Sequence, residues 1–216
     1  MVCGSTGSGK TTTIYSILNK LSLLNKRIVT IEDPVEYSIP NASQTEISKS
    51  SSVNFSSILK AALRQDPDVF LFGEIREEDA AKSAIEAALT GHLVFSTIHA
   101  TDLKQLPSRL KMLGVDEGLF TSAYKVILSQ KLLNRLCTHC KVIDLDGSRY
   151  TERRVFSSVG CNLCDYTGYY GKVVTGELLW VTEKLINELN NGGTLSTALS
   201  TEADLISLDL CLKEHV

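Results

Sequence analysis

The residues from Gly4 to Thr11, Gly-Ser-Thr-Gly-Ser-Gly-Lys-Thr, have the types and spacing that bind phosphate. Glycines let successive backbone N–H groups turn toward one anion, and the following helix adds its positive N-terminal end. Lys10 supplies a cation for the β- and γ-phosphates, and the Thr11 hydroxyl is a ligand for Mg²⁺. The motif therefore predicts ATP and Mg²⁺ as cofactors, bound by Gly4, Ser5, Thr6, Gly7, Ser8, Gly9, Lys10 and Thr11. A chance glycine-rich turn is the alternative, and the strand–loop–helix context argues against it.

A second group of residues that could bind a metal or react consists of cysteines in two C-x2-C pairs. Cys137 and Cys140 are followed, after twenty residues, by Cys161 and Cys164. This spacing is typical of a tetrathiolate site that holds one Zn²⁺ in tetrahedral geometry. Two unrelated pairs, redox-active or idle, are the alternative. His139 lies between the first two cysteines and is a less favoured ligand.

Charged residues follow three further apolar runs, which we interpret as strands. Glu32 and Glu36 follow the first run, Glu74 and Arg76 the second, and His99 the third. In a parallel sheet all these strand ends lie on the carboxyl edge, where a nucleotide binds. Glu74 suits an acid that supports Mg²⁺, Glu36 suits the base that polarises water better than Glu32 does, and His99 could contact the γ-phosphate region. A solvated turn for the first pair and a packed or capping histidine are the alternatives.

The elements that would position these residues alternate between strand and helix. This alternation predicts an α/β fold, a parallel sheet with helices on both faces. The predicted strands are Arg27–Glu32, Asp68–Gly73 and Leu93–Ile98. The predicted helices are Thr12–Leu24, Phe55–Gln65, Glu77–Thr90, Leu103–Leu113, Leu119–Leu133 and a helical tail from Thr182 to Val216. Ser43–Ser57 is predicted to be a polar loop that leads into the second helix, and His92 either supports the end of the third helix or has a functional role.

Composition limits the class of protein. The chain has 216 residues, of which 43% are hydrophobic, and a net charge of −3. A slightly acidic chain lacks the excess of basic residues that binds the phosphates of duplex nucleic acid, so no nucleic-acid partner is expected. No apolar run reaches the roughly 18 residues of a membrane span, and no secretory signal is visible. We expect a cytoplasmic protein, in which disulfides are disfavoured. The predicted domains are an ATPase core at 1–134, a zinc module at 135–174 and a C-terminal helical segment at 175–216.

Taken together, these motifs resemble a known superfamily. GSTGSGKT, TIEDPVEY, LRQDPDVFLFGEIRE and TGHLVFSTIHATD resemble, in the same order, the Walker A, Asp, Walker B and His boxes of secretion ATPases. These are the motors of type II secretion, type IV pili and competence pseudopili. By position, the resemblance implies that Lys10 and Thr11 bind nucleotide and Mg²⁺, that Glu36 is the catalytic glutamate, and that Glu74, Arg76 and His99 complete the site. The departures are mild: Ser5 stands where the family usually has Pro, and Glu77 where it usually has Asp.

The resemblance also implies a fold and partners. It implies a RecA-like core in a homo-hexamer, peripheral at the bacterial inner membrane, that acts on the polytopic platform protein of the machine. The segment RLCTHCK…VGCNLCDYTGYYGKVVTGELL resembles the metal module that assembly and secretion motors carry and retraction motors lack. This favours a motor for pilus or pseudopilus assembly.

Two alternative functions remain open, and a separate expectation concerns where the sequence starts. A RecA-like DNA translocase or helicase would need a basic, aromatic-bearing channel for the strand. A non-catalytic nucleotide-binding remnant is the other alternative. Only Met1–Cys3 precede Gly4, so we expect a sequence that starts within a core strand and lacks the family's arginine-bearing N-terminal domain. We therefore expect poor solubility and little ATP hydrolysis from the chain alone.

Overall fold

A mostly parallel β-sheet forms the centre of the protein. The computed structural model describes residues 1–47, 55–146, 148, 154–200 and 205–207. The strands in these residues are β1 (Val2–Cys3), β2 (Ile28–Glu32), β3 (Ala42–Glu46), β4 (Val69–Ile75), β5 (Leu93–Ile98), β6 (Val126–Leu136), β7 (Val142–Asp144), β8 (Val155–Ser157), β9 (Tyr169–Trp180) and β10 (Leu205–Ser207).

The strand order places the phosphate-binding segment in the middle of the sheet. The order is β10-β9-β6-β1-β5-β4-β2-β3, and β7 and β8 form a separate antiparallel pair. β1 pairs in parallel with both β5 and β6, β4 with β5 and β2, and β2 with β3. The carboxyl ends of these strands therefore meet at one edge, as the sequence predicts for a parallel α/β fold.

Helices cover both faces of this sheet. The described helices are α1 (Lys10–Ser22), α2 (Phe55–Leu63), α3 (Glu78–Leu89), α4 (Leu106–Met112), α5 (Glu117–Ala123), α6 (Glu183–Asn190) and α7 (Leu195–Ser200), with 3₁₀ turns at Leu103–Gln105 and Asn162–Cys164. Side chains alternate between faces along a strand, so Val69 and Leu71 pack with α1, while Phe70 and Phe72 pack on the opposite side with α2 and α3. Burial on both faces explains why β4 begins as an uninterrupted apolar run.

Three sequence predictions are wrong. The predicted helical tail from Thr182 to Val216 contains α6 and α7, but Leu205–Ser207 form the strand β10, because this segment pairs with β9 at the edge of the sheet. The predicted helix Leu119–Leu133 ends at Ala123, and the chain then enters β6, where the Leu128 N–H donates to the Met1 carbonyl at 2.9 Å. The run Val126–Leu128 is apolar throughout and fits a strand between others as well as a helix, so pairing with β1 decides its structure. Within the predicted loop Ser43–Ser57, residues up to Glu46 belong to β3, whose polar sequence suits an edge strand, and Phe55–Ser57 begin α2.

The chain divides into two compact units. One contains Met1–Gln130 and Glu177–Ile206, and the other is built from Lys131–Gly176. The predicted serine-rich patch at 48–54 and the end of the predicted tail, 208–216, lie outside the described residues. In the described part of the chain, no helix combines the length and the apolar character that a membrane span requires.

Candidate nucleotide site

The loop from Gly4 to Gly9 links the end of β1 to the start of α1. Gly9 precedes the helix with φ of 87°, a left-handed conformation that glycine adopts without strain. The Ser8 N–H donates to the Ser5 carbonyl at 3.2 Å, which closes a turn within the loop. The first turn of α1 contains no acidic residue, so its own side chains do not offset the partial positive charge at its N-terminus.

Lys10 lies against the same loop. Its Nζ donates to the carbonyls of Gly4 and Ser5, each at 2.9 Å. Burial lowers the pKa of the Lys10 ammonium, and the negative charge of Glu74 opposes this shift. The two hydrogen bonds thus place the Lys10 amino group against the first residues of the loop.

A cleft of about 310 Å³ opens at this edge of the sheet. It brings together residues from the segments that the sequence singled out at the ends of β1, β2, β4 and β5. Its lining includes Thr6, Gly7, Lys10, Thr11, Glu32, Asp33, Glu36, Gly73, Glu74, Arg76, Thr97 and His99. The remaining predicted phosphate-binding residues, Gly4, Ser5, Ser8 and Gly9, belong to the loop but not to the cleft lining.

Glu32 is buried at the end of β2, with 4% of its surface exposed. Its carboxylate accepts hydrogen bonds from the Tyr15 hydroxyl, from the Thr30 hydroxyl at 2.6 Å and from the Gln44 amide at 3.3 Å. Burial, the hydrogen bond to Glu32 and the charge of Glu32 together raise the pKa of the Tyr15 hydroxyl. Glu32 thus ties α1, β2 and β3 together, and its oxygens are already occupied by protein donors.

Glu36 and Glu74 present a different arrangement. Glu36 is exposed and lines the cleft. Glu74 accepts two hydrogen bonds from Arg76, at 3.0 Å from Nε and 2.7 Å from a terminal nitrogen, and Arg76 also lies 3.6 Å from Asp33. The hydrogen bonds from Arg76 to Glu74 raise the pKa of the guanidinium, and the nearby charges of Glu74 and Asp33 add to that shift. Arg76 therefore orients Glu74 at the cleft wall.

The histidines separate into two roles. His99 is exposed, lines the cleft and has its Nε2 at 3.3 Å from the hydroxyl of Thr6 in the loop. His92 instead has its Nδ1 at 3.0 Å from the Ala87 carbonyl at the end of α3, and its ring packs edge-on against Phe70. His92 therefore supports the helix end, one of the two roles that the sequence left open.

Sequence analysis missed several polar residues, buried or half-buried, that support the cleft from within the fold. Tyr15, Thr30 and Gln44 hold Glu32, and Gln130 of β6 bonds to the phosphate-binding loop and to α1. Ser129 and Gln130 follow the apolar run Val126–Leu128 and precede Leu132 and Leu133, and a glutamine between apolar segments is a signal that could have pointed to it.

The four cysteines of the two pairs converge at a second place, in the unit built from Lys131–Gly176. All four sulfur atoms lie within 4.8 Å of one another, and three of their separations are 3.8, 3.8 and 4.0 Å. A tetrahedral ion with Zn–S bonds of about 2.3 Å requires sulfurs about 3.8 Å apart. The donor set and its spacing therefore fit Zn²⁺. His139 is exposed and does not belong to this cluster.

Backbone N–H groups support the thiolate form that a metal needs. The N–H groups of Cys161 and Gly168 point at the Cys164 sulfur at 3.2 and 3.3 Å. Burial opposes ionisation of this thiol, but these donors and the neighbouring thiols of Cys161 and Cys140 lower the pKa of Cys164 to about 7. Burial raises the pKa of the Cys140 thiol to about 11. A bound dication would favour all four thiolates.

Comparisons with known proteins agree with this geometry. The profile of the family described as type II/IV secretion system protein matches residues 1–205. The chain is 41% identical over 196 residues to the type IV pilus assembly ATPase PilB of Thermus thermophilus, covering 86% of this chain and 22% of that protein. It is 41% identical over 192 residues to the type II secretion system protein HxcR of Pseudomonas aeruginosa, covering 89% of this chain and 39% of that protein. The chain thus spans less than half the length of these curated relatives.

Solved structures share the fold. The Legionella pneumophila ATPase DotB matches with a TM-score of 0.70 at 24% identity, covering 100% of this chain and 56% of that one. The pilus retraction motor PilT with bound ADP matches with a TM-score of 0.65 at 26% identity, covering 99% of this chain and 55% of that one. The extent of the profile match and the identity to these relatives lead to one conclusion: the chain belongs to the type II/IV secretion system protein family.

Proposed function

We propose that this protein binds and hydrolyses ATP as a motor subunit for pilus or pseudopilus assembly in a type II secretion, type IV pilus or competence machine. The cleft that gathers a phosphate-binding loop, carboxylates, an arginine and a histidine at one sheet edge carries this proposal. Relatives named as type IV pilus and type II secretion proteins, at 41% identity, support the assignment to such machines.

The loop and α1 would bind the phosphates. Backbone N–H groups from Gly4 to Thr11 and the helix N-terminus favour an anion, and Lys10 would exchange its loop carbonyls for phosphate oxygens. Thr11 would hold Mg²⁺, with Glu74 behind it, and Mg²⁺ when bound would neutralise charge that develops on the phosphates.

The other cleft residues would act on water and on the phosphate charge. Glu36 is exposed to the cleft and is our candidate base, whereas Glu32 already accepts hydrogen bonds from three protein groups. Arg76 orients Glu74, and His99, next to Thr6, would contact the γ-phosphate region.

The rest of the proposal concerns the metal, the assembly and the location. We propose one Zn²⁺ per chain at Cys137, Cys140, Cys161 and Cys164, because the sulfur separations suit it. We also propose the division into a core at 1–134, a zinc module at 135–174 and a C-terminal segment at 175–216. A homo-hexamer in the cytoplasm that acts on the inner-membrane platform protein follows from the family resemblance.

Phosphate release from ATP, measured with and without Mg²⁺, tests the proposed activity. Because little hydrolysis is expected from the chain alone, the variants are compared in the sequence joined to the family's arginine-bearing N-terminal domain. There we expect Mg²⁺-dependent release and a fall of about 10²–10⁴-fold in Glu36→Gln, because the substitution removes the base. Glu74→Gln should also suppress release, and both variants should bind ATP nearly as well as the unmodified protein.

Glu86→Gln, at an exposed position on α3, is the matched control and should release phosphate normally. Undiminished turnover in Glu36→Gln and Glu74→Gln would reject the residue roles. ATP binding with no release, even when the unmodified sequence is joined to that arginine-bearing domain, would favour a non-catalytic nucleotide-binding function.

A further inference from the structure

Gln130 is a buried polar residue behind the phosphate-binding loop, outside the cleft lining. It lies in β6, directly after Ser129, which pairs with Cys3 at the end of β1. Only 1% of its surface is exposed. A buried amide needs partners for both its donor and its acceptor, so its contacts show what it holds in place.

The Gln130 side chain joins the loop to the helix that follows it. Its Nε2 donates to the Ser8 carbonyl at 2.7 Å, and its Oε1 accepts from the Thr13 hydroxyl at 2.8 Å. Its backbone carbonyl also lies against the loop, because a Cβ placed on Gly4 would come within 2.4 Å of that oxygen. One residue therefore contacts the beginning of the loop, its end and the first turns of α1.

The hydrogen bond to Ser8 has a directional consequence. In a trans peptide the carbonyl and the following N–H point in opposite directions. Because Gln130 holds the Ser8 carbonyl, the Gly9 N–H must point away from Gln130. The Ser8–Gly9 peptide rotates through ψ of Ser8 and φ of Gly9, and glycine tolerates either sign of φ, so without this bond the peptide could rotate.

We propose that Gln130 is a positioning residue that fixes the Ser8–Gly9 peptide and thereby sets the affinity of the loop for nucleotide phosphates. The inference rests on the proposed ATP site. Gln130 does not touch the reacting atoms, so it should change binding rather than the chemical step. Only a side chain that donates and accepts at once can satisfy both Ser8 and Thr13.

Three substitutions separate this role from a purely structural one. Gln130→Met keeps nearly the same shape and removes both hydrogen bonds. Thr13→Val removes the hydroxyl that bonds to Gln130, whereas Thr13→Ser keeps it. Gln65→Met, at an exposed position after α2, is the matched control.

The measurements are the Kd for ATP with Mg²⁺ by calorimetry and the melting temperature without nucleotide. The kcat and KM for hydrolysis are measured in the sequence joined to the family's arginine-bearing N-terminal domain. We expect Gln130→Met to raise Kd and KM about tenfold, the change expected for about 1.4 kcal/mol. Its kcat at saturating ATP should stay within about twofold. Thr13→Val should raise Kd by a smaller factor, and Thr13→Ser and Gln65→Met should bind as the unmodified protein does.

Each outcome decides the inference. A folded Gln130→Met with unchanged Kd and KM would overturn it, and so would a loss of kcat at unchanged affinity. If Gln130→Met fails to fold, equal Kd values for Thr13→Val and Thr13→Ser would overturn the inference, and a weaker Kd for Thr13→Val alone would support it. Failure of the unmodified protein to bind ATP would instead reject the proposed function.

Discussion

At the scale of single residues, Glu32 and Glu36 show how burial gives different roles to two carboxylates at the end of the same strand, one its last residue and the other four residues further on. Glu32 is enclosed by donors from α1, β2 and β3, whereas Glu36 is exposed at the cleft. A base that polarises water needs a free lone pair at the cleft, which Glu36 offers. Glu32 instead has the contacts of a residue that holds elements together.

Glu32→Gln should therefore destabilise the fold. The amide offers one acceptor oxygen where the carboxylate offers two, so Tyr15 or Thr30 would lose a strong acceptor within the protein. We expect a loss of about 1–3 kcal/mol in the free energy of unfolding. Denaturant unfolding followed by circular dichroism would measure it, with the exposed Glu86→Gln as the control. An unchanged unfolding midpoint combined with lost hydrolysis would mean that Glu32, and not Glu36, is the base.

At the scale of elements, the sequence correctly predicted the strands and helices that can be recognised from their own residues. The apolar runs of β4 and β5 have the composition of buried strands, and α3 is a regular alanine-rich helix that ends before Gly91. β6 was predicted to be a helix because its structure depends on pairing with β1, a partner 125 residues away in sequence. β3 was missed because an edge strand can consist mostly of polar residues, as Ala42–Glu46 does after Ala42.

The cysteine-bearing turns give a prediction at the same scale. The short turns at Cys137–Cys140 and Cys161–Cys164 are held by local hydrogen bonds, and four sulfurs lie where a tetrahedral ion needs them. We expect one zinc per chain by elemental analysis of the protein as purified. Removal by a chelator should speed amide hydrogen exchange between residues 131 and 146 and between 154 and 176, because metal binding supplies folding free energy to such modules.

Two variants make the metal test specific. Cys164→Ser should lose the zinc, whereas His139→Ala should retain it, because His139 lies outside the sulfur cluster. A full complement of zinc in Cys164→Ser, or protein without metal whose four thiols all react freely in the native state, would contradict the assignment.

At the scale of the whole molecule, the order of the motifs along the chain was enough to predict the family and the α/β fold. Their convergence on one cleft also follows from parallel pairing, since every strand that carries a motif ends at the same edge. The contacts behind the cleft could not be predicted, because Gln130 reaches Ser8 across 122 residues of sequence. Such a contact depends on which strands become neighbours, and no local pattern records this.

The central claim is that the cleft at the carboxyl edge of the sheet binds ATP through the loop before α1. The most direct test is calorimetric titration of Mg²⁺-ATP into the protein, into Lys10→Ala and into Lys20→Ala, which removes an exposed lysine from the other end of the same helix. We predict binding by the unmodified protein and by Lys20→Ala, and a loss of at least about tenfold in affinity for Lys10→Ala, because its charge-assisted hydrogen bonds to phosphate contribute about 1.5–3 kcal/mol. Equal affinity of all three proteins for ATP would contradict the account.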